Sequence, residues 1–392
     1  MNHAYKVIEM VAVGGTLAVS LYYLVVLWSV GAYLAERDAS AISGVGAETG
    51  FPPAVSILKP LKGVDPEIYE SFRSHCLQEH SEYEIIFGVS ERDDPAVDSV
   101  LRLQREFPSA AIHLVYCSQR LGANTKVSNL AQMLPIAKYD HLIVNDSDIR
   151  VGSDYLRRVI SPLRDQRIGM VTCLYRGVAA PTLGSKLESL GISTDFSAGV
   201  LVARNLEGGI KFGLGSTLAF RRRDLESIGG FECLVGYLAD DYELGKRISD
   251  KGLKVLLSGV VVETFLPAYT VGGFLGHQLR WARGVRSSRP GGYLGLLFTF
   301  GLPWAVAVLI ASRGALWAWG LGALVAFLRL LVAWRVGRRV LGDRQLRSLL
   351  PLLPLRDFTA VLIWLGSFGG NTISWRGDYF RLKDGKLARV DH

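Results

Sequence analysis

Apolar residues fall along this chain in two different ways, as long unbroken runs and as short segments alternating with polar ones. Met10 to Leu34 carries no formal charge, and a run of that length crosses the hydrocarbon core of a bilayer. It is longer than the apolar region of a signal peptide, and no small-residue cleavage site follows, so an uncleaved anchor is expected over residues 1–34. Tyr293–Ser312 and Gly314–Trp334 are two further candidate spans, separated by so little chain that a helical hairpin is predicted. Leu349–Ser374 is apolar as well, but Pro351, Pro354, Arg356 and Asp357 interrupt it. An interfacial piece, a re-entrant piece and a third C-terminal crossing all fit that pattern.

Between Pro52 and Arg289 the pattern changes. Ala54–Leu58, Glu84–Val89, Ile112–Cys117 and His141–Asn145 are short β-rich runs. Glu67–Glu79, Pro95–Phe107 and Lys126–Ala137 lie between them with apolar residues at helical spacing. Asp65-Pro66 and Asp94-Pro95 each have the form of an N-cap followed by proline at the first helical position. Strand–helix–strand repetition predicts an α/β domain with a doubly wound, mostly parallel sheet, flanked by N- and C-terminal transmembrane helices. The expected organisation is an anchor over 1–34, a linker over 35–50, the α/β domain over 51–289, a C-terminal membrane region over 290–375 and a basic tail over 376–392. Ligands in such sheets bind at the carboxyl ends of the strands.

Composition narrows this picture in three respects. Mean hydropathy is +0.24, high for a soluble enzyme, and the excess lies in residues 7–34 and 293–373. The formal net charge is +8; with no basic run interleaved with stacking aromatics, nucleic acid is set aside as a partner. Arg335, Arg338, Arg339, Arg344 and Arg347 instead place their loop in the cytoplasm by the positive-inside rule. Cys76, Cys117, Cys173 and Cys233 show no CxxC pairing, which fits a reduced domain facing the cytosol.

Carboxylates at strand ends carry the candidate chemistry. Asp146 and Asp148 follow the apolar run 141–145. Alternate residues of an extended chain point the same way, so the pair is expected to face one hard cation, Mg²⁺ or Mn²⁺. An Asp-rich turn capping the next helix would give the same triplet. Asp240 and Asp241 open a helix, where capping accounts for one acid. Asp241 is then the expected general base, and Asp240 the cap or supporting partner. Asp93 is free to meet a ligand at the end of the second run, since Asp94 caps. Lys126 and Asn129 are placed to reach a phosphate from a helix N-terminus, with Lys59 and Lys62 weaker candidates of the same kind. Arg280 and Trp281 offer a phosphate fork and a packing surface. Arg283, Arg286 and Arg289 are expected to meet lipid headgroups.

The order Asp93, Asp146/Asp148, Asp241, Arg280-Trp281 resembles the D, D, D, (Q/R)xxRW series of inverting GT-A glycosyltransferases. More narrowly, Val55-Ser-Ile-Leu-Lys-Pro-Leu-Lys-Gly-Val-Asp-Pro66, Asp93-Asp-Pro-Ala96, Asp146-Ser-Asp-Ile-Arg-Val151 and Ala239-Asp-Asp-Tyr242 resemble the ceramide glucosyltransferase family. Val171-Thr-Cys-Leu-Tyr-Arg-Gly177 and Leu279-Arg-Trp-Ala-Arg283 are similar to its bacterial branch, which includes hopanoid-associated enzymes. The resemblance implies Asp93 on the nucleotide side, Asp146 and Asp148 at metal and diphosphate, and Asp241 as base. Lys126, Arg280 and Trp281 join the donor side, and Asp240 and His277 the acceptor side or its support. His277 stands where the family has Gln or Arg, and Asp148 where vertebrate members have glycine. A UDP-sugar donor, a ceramide-like or hopanoid lipid acceptor and a multi-pass protein in the bilayer, facing the cytoplasm (the inner membrane in a bacterium), are the implied partners and setting. Polyprenyl-phosphate transfer, a processive polysaccharide synthase with more spans and a non-catalytic membrane scaffold are the competing expectations.

Overall fold

The computed structural model describes residues 3–42, 53–375 and 378–390, so parts of the expected linker and basic tail lie outside the described residues. The chain opens with α1 (His3–Ile42) and continues through β1 (Val55–Leu61), α2 (Ile68–Cys76), β2 (Tyr83–Val89), α3 (Ala96–Glu106), β3 (Ala111–Tyr116), α4 (Thr125–Met133) and β4 (His141–Val144). Next come β5 (Ile149–Arg150), α5 (Tyr155–Ile160), β6 (Ile168–Val178), α6 (Leu183–Gly191), α7 (Ser197–Leu206), β7 (Leu218–Arg221), α8 (Arg222–Ser227), α9 (Asp240–Asp250) and β8 (Lys254–Phe265). Then follow α10 (Val271–Ser288), α11 (Pro290–Gly295), α12 (Gly301–Ala311), α13 (Leu316–Ala333), α14 (Leu346–Leu349) and α15 (Leu353–Ser367). Short strands β9 (Thr372–Trp375), β10 (Asp378–Lys383) and β11 (Lys386–Arg389) end the chain.

Two compact units result, and they cut across chain order. Arg37–Val178, Leu206–Pro267 and Gly385–His392 form the sheet unit; Met1–Glu36, Ala179–Asn205 and Ala268–Asp384 form the apolar unit. Hence α6, α7 and α10, expected inside a continuous catalytic domain over 51–289, cluster with the apolar helices.

The sheet has the order β3-β2-β1-β4-β7-β6-β8-β5. Its first four strands are parallel, as the strand–helix alternation predicts. Antiparallel joints at β4/β7, β7/β6 and β8/β5 make the whole sheet mixed. Every residue of β1 is buried, as a parallel strand covered on both faces requires. Winding runs from β1 through β2 to β3 on one side and to β4 on the other, which puts the topological switch point at the carboxyl ends of β1 and β4. Because β7 is reversed, the loop before Leu218 arrives at that same edge.

Local chemistry refines two expected helix starts. Asp94 behaves as foreseen: its Oδ1 accepts from Ala96 N at 2.9 Å, and the carboxylate also holds Gly63 N. Gly63 has φ 72°, a left-handed turn that glycine adopts without a Cβ penalty. Asp65 does not cap α2. Its carboxylate takes the Ser147 hydroxyl instead, and the helix begins only at Ile68, behind Glu67 at φ 54°.

In the apolar unit, Tyr5–Ala39, Leu316–Val340 and Leu346–Ser367 are long and apolar enough to cross a membrane. The expected span 293–312 is not one straight helix. Pro290–Thr299 and Gly301–Ala311 meet at 58°. Gly301 N donates to Tyr23 Oη at 3.1 Å, and the Leu297 carbonyl accepts from Trp304 Nε1 at 2.8 Å. Side chains thus satisfy backbone groups at the break, the condition for interrupting a helix in an apolar setting. The hairpin between α12 and α13 is present, turning at Arg313 and Gly314. Buried Arg329 donates from Nε and Nη2 to Asp357 and from Nη2 to Asp195 at 2.6 Å. Arg283 and Arg286 donate to the backbone of Thr372 and Gly370. They clamp the segment before β9, a task the headgroup expectation did not include.

Candidate active site

At the switch point the sheet unit gathers five carboxylates and two lysines. Lys59, on β1 and fully buried, donates from Nζ to the Asp146 carbonyl at 2.9 Å. Burial pulls its pKa down to about 7, against the attraction of Asp148, Asp146 and Asp65. Lys126 lies in the first turn of α4, which Asn124 caps by accepting from Val127 N at 3.2 Å. Its Nζ stands 2.8 Å from Asp146 Oδ1 and 3.2 Å from Asp240 Oδ2. Burial opposes the ammonium, but Asp146, Asp240 and Asp241 outweigh it and hold Lys126 above the usual lysine range.

Asp240 and Asp241 begin α9. Asn124 Nδ2 donates to Tyr237 O at 2.8 Å and to Asp240 Oδ1 at 3.3 Å, tying two helix starts together. Asp241 Oδ2 accepts from Gly215 N and Oδ1 from Tyr242 N, both at 2.8 Å. Burial first, then repulsion from Asp240, pushes this carboxyl up to about 6. Gly215 borders two acids at once: a Cβ there would lie 3.1 Å from Asp146 Oδ2 and 3.3 Å from Asp241 Oδ2. Gly213 and Gly245 permit a similarly close approach of α9 to this loop, since a Cβ on Gly245 would meet Gly213 N at 2.3 Å.

The geometry of Asp148 departs from the extended-chain premise. Strand β4 stops at Val144, and residues 147–148 form a turn, so alternation no longer fixes both side chains on one side. Asp148 Oδ2 accepts from the Thr264 hydroxyl of β8, while Asp146 faces Lys126. Burial and the neighbouring Asp146 push the Asp148 carboxyl up to about 6. The donors at this edge are all oxygens, the set a hard cation takes. Asp146 and Asp241 flank a site kept open by a glycine. Among the described residues, no three His, Cys, Asp or Glu side chains could hold a metal as a group. A cation here would therefore complete its shell with diphosphate oxygens and water.

The other expected residues lie on other elements. Asp93 is exposed on the loop after β2, at the same carboxyl edge. Asn129 is buried and accepts from Ser90 Oγ at 3.0 Å, fastening α4 to β2 rather than reaching for a phosphate. His277, Arg280 and Trp281 belong to α10 in the apolar unit. There His277 Nδ1 lies 3.3 Å from Glu188 Oε1 and its ring stacks on Tyr269, while Trp281 meets Phe196 edge-on. The expected basic tail is structured where described: Leu387 N donates to Gly236 O at 2.8 Å, and Tyr237 bridges Lys386. Asn124, Gly215 and Thr264 were missed from the sequence. Only the N-cap form of Asn124-Thr and the glycine spacing before β7 hinted at the first two.

The mixed sheet, with acids at the carboxyl ends of its parallel strands, has the architecture of the GT-A glycosyltransferases. Its fold matches the mannosyltransferase PcManGT from Pyrobaculum calidifontis, solved with GDP-Man and Mn²⁺ (TM-score 0.54, 20% identity, 91% of this chain and 99% of that one). The chain belongs to glycosyl transferase family 21, whose family model matches residues 13–388. Ceramide glucosyltransferase 3 of Caenorhabditis elegans is 26% identical over 232 residues, 59% of this chain but only 50% of that relative. Ceramide glucosyltransferase 1 of the same organism is 23% identical over 348 residues, 86% of this chain and 73% of the relative.

Proposed function

We propose that the protein transfers a hexose, with glucose the first candidate, from a UDP-sugar to a hydroxyl of a ceramide-like membrane lipid, inverting the anomeric carbon. One observation carries the reading. The Asp241 carboxyl is fixed through both oxygens by backbone N–H groups and lies beside the Lys126–Asp146 pair. A lipid hydroxyl is a poor nucleophile at neutral pH, so a fixed carboxylate taking its proton lowers the barrier to attack. A phosphate acceptor needs no such base, which argues against polyprenyl-phosphate transfer. The relatives named above as ceramide glucosyltransferases support the acceptor class.

In this mechanism Asp241 accepts the hydroxyl proton as the oxygen attacks the anomeric carbon from the side opposite the diphosphate. Lys126 holds Asp146 and Asp240 in place, and Asp93 is assigned to the nucleotide. A divalent cation, Mg²⁺ or Mn²⁺, held by Asp146 with Asp148, would neutralise the departing diphosphate. His277, Arg280 and Trp281 keep their donor- and acceptor-side assignments on the motif alone. We place the sheet unit on the cytoplasmic side of the membrane.

The test is product analysis by mass spectrometry, using purified protein with a panel of UDP-sugars and with ceramide, a hopanoid alcohol and a polyprenyl phosphate as acceptors. A hexosylated ceramide supports the proposal. Product on the hopanoid alone, or on the phosphate alone, overturns the acceptor assignment.

A further inference from the structure

Asp240 and Asp241 enter α9 without a side-chain cap, because Ala239 precedes them. Their position therefore rests on the segment that leads into the helix, residues 235–239. Around Tyr237 the backbone groups of this segment alternate between two partners, as in a strand paired on both edges. On one edge Asn124 N donates to Val235 O and Asn124 Nδ2 to Tyr237 O, both at 2.8 Å. On the other edge stands β11. Leu387 N donates to Gly236 O at 2.8 Å, and Leu238 N donates to Gly385 O at 3.2 Å.

Side chains reinforce this second edge. Tyr237 and Lys386 face each other between the two backbone bonds, the closer kind of antiparallel pair. Lys386 Nζ lies over the Tyr237 ring at 5.4 Å and the Arg247 guanidinium at 5.5 Å. Arg247 Nη2 also donates to the phenol oxygen at 3.4 Å. Leu387 is buried. Asp384 and Gly385, at φ 50° and 75°, make the two-residue turn that delivers the strand to this place.

We propose that β11 is a positioning element of the transfer site, holding the approach to α9 so that the Asp241 carboxylate meets the acceptor hydroxyl in one place. The proposal rests on Asp241 being the base. β11 acts through the backbone of residues 236–238 and not on substrate. With its two bonds broken, Asn124 still holds Val235, Tyr237 and Asp240. The donor side then keeps its restraint while Asp241 loses its alignment, so donor binding and turnover should part company.

Leu387→Pro tests this in the purified full-length chain, since proline removes the N–H that Gly236 accepts. We expect kcat to fall at least about tenfold, because small misplacements of a reacting group are costly in rate. UDP-sugar affinity, read by titration calorimetry, should hold, and hydrogen exchange at the Leu238 amide should speed up. Leu387→Val, which keeps the N–H and an apolar side chain, should match wild type in all three readings. Tyr237→Ala, which removes the ring under Lys386, should lower kcat in the same selective way and serves if the proline variant fails to fold. Unchanged kcat beside faster exchange would overturn the proposal. Unchanged exchange at Leu238 would also overturn it, by showing that the segment is held without β11. Equal losses of kcat and donor affinity, or Leu387→Val as impaired as Leu387→Pro, would do the same. Asp241→Asn, run alongside, separates the two readings. Normal turnover there removes the base itself, whereas a full requirement for Asp241 beside an indifferent Leu387→Pro removes only the role of β11.

Discussion

The Lys126 ammonium stands 2.8 Å from Asp146 Oδ1, on the acidic flank that the proposed mechanism assigns to the donor diphosphate and its counter-ion. The same nitrogen reaches Asp240, so one lysine restrains acids from two separate elements. Lys126→Met should therefore weaken UDP-sugar binding at least about tenfold, because truncating one member of a buried charged pair leaves the other uncompensated. Titration calorimetry with the donor checks this. Unchanged affinity would reduce Lys126 to a bystander.

Asp241→Asn should bind donor normally and lose about 10²–10⁴-fold in turnover, the range expected of a general base. Binding and product formation are measured on one preparation. Loss of both together would assign Asp241 to the donor site.

The pH profile follows from the raised carboxyl. A base acts only when ionised, so turnover should be level above about pH 6 and fall tenfold per unit below it. Asp240 raises this pKa and Lys126 lowers it. The acid limb should move to lower pH in Asp240→Asn and to higher pH in Lys126→Met. Limbs that stay put in both variants would remove Asp241 as the titrating group.

Gly215→Ala inserts a Cβ 3.1 Å from Asp146 Oδ2 and 3.3 Å from Asp241 Oδ2. Activity should fall at least about tenfold while the melting temperature hardly changes, since small geometric errors at reacting groups cost rate more than stability. EDTA should abolish the activity of wild type, and Mn²⁺ or Mg²⁺ should restore it. Full activity in EDTA would exclude a divalent-cation requirement.

Arg329 and Asp357 form a buried pair. Asp357→Asn alone should destabilise the protein by about 3–5 kcal/mol, whereas Arg329→Met/Asp357→Leu should recover most of that loss. Thermal unfolding in detergent separates the two outcomes; equal losses would mean the pair is not energetically coupled.

The parallel half of the sheet was legible because β1, β2, β3 and β4 are bounded by proline, aspartate and glycine signals within a few residues of their observed ends. Asp146, Asp240, Asp241 and Lys126 were legible as acids or cations at strand and helix ends. Their convergence was not. It depends on β7 running backwards, so that Gly215, 26 residues before Asp241 in the chain, delivers its N–H to that carboxylate. Asn124 was hidden for the same reason, since its partner Asp240 lies 116 residues away. The break at Phe300 was invisible locally because the group that replaces the helical bond is Tyr23, on α1.

Arg329 lies at the middle of the apolar segment Leu316–Val340, and that placement bears on biosynthesis. An arginine at the centre of a helix entering a bilayer opposes insertion by about 2.5–3.5 kcal/mol. Asp357 emerges 28 residues later, roughly 1–6 s at ordinary rates of translation. Asp195, made long before, is the acid available during that interval. A nascent chain halted just after Val340 would carry a charged helix with one of its two counter-ions, and its retention in the membrane would depend on how soon Asp195 finds it.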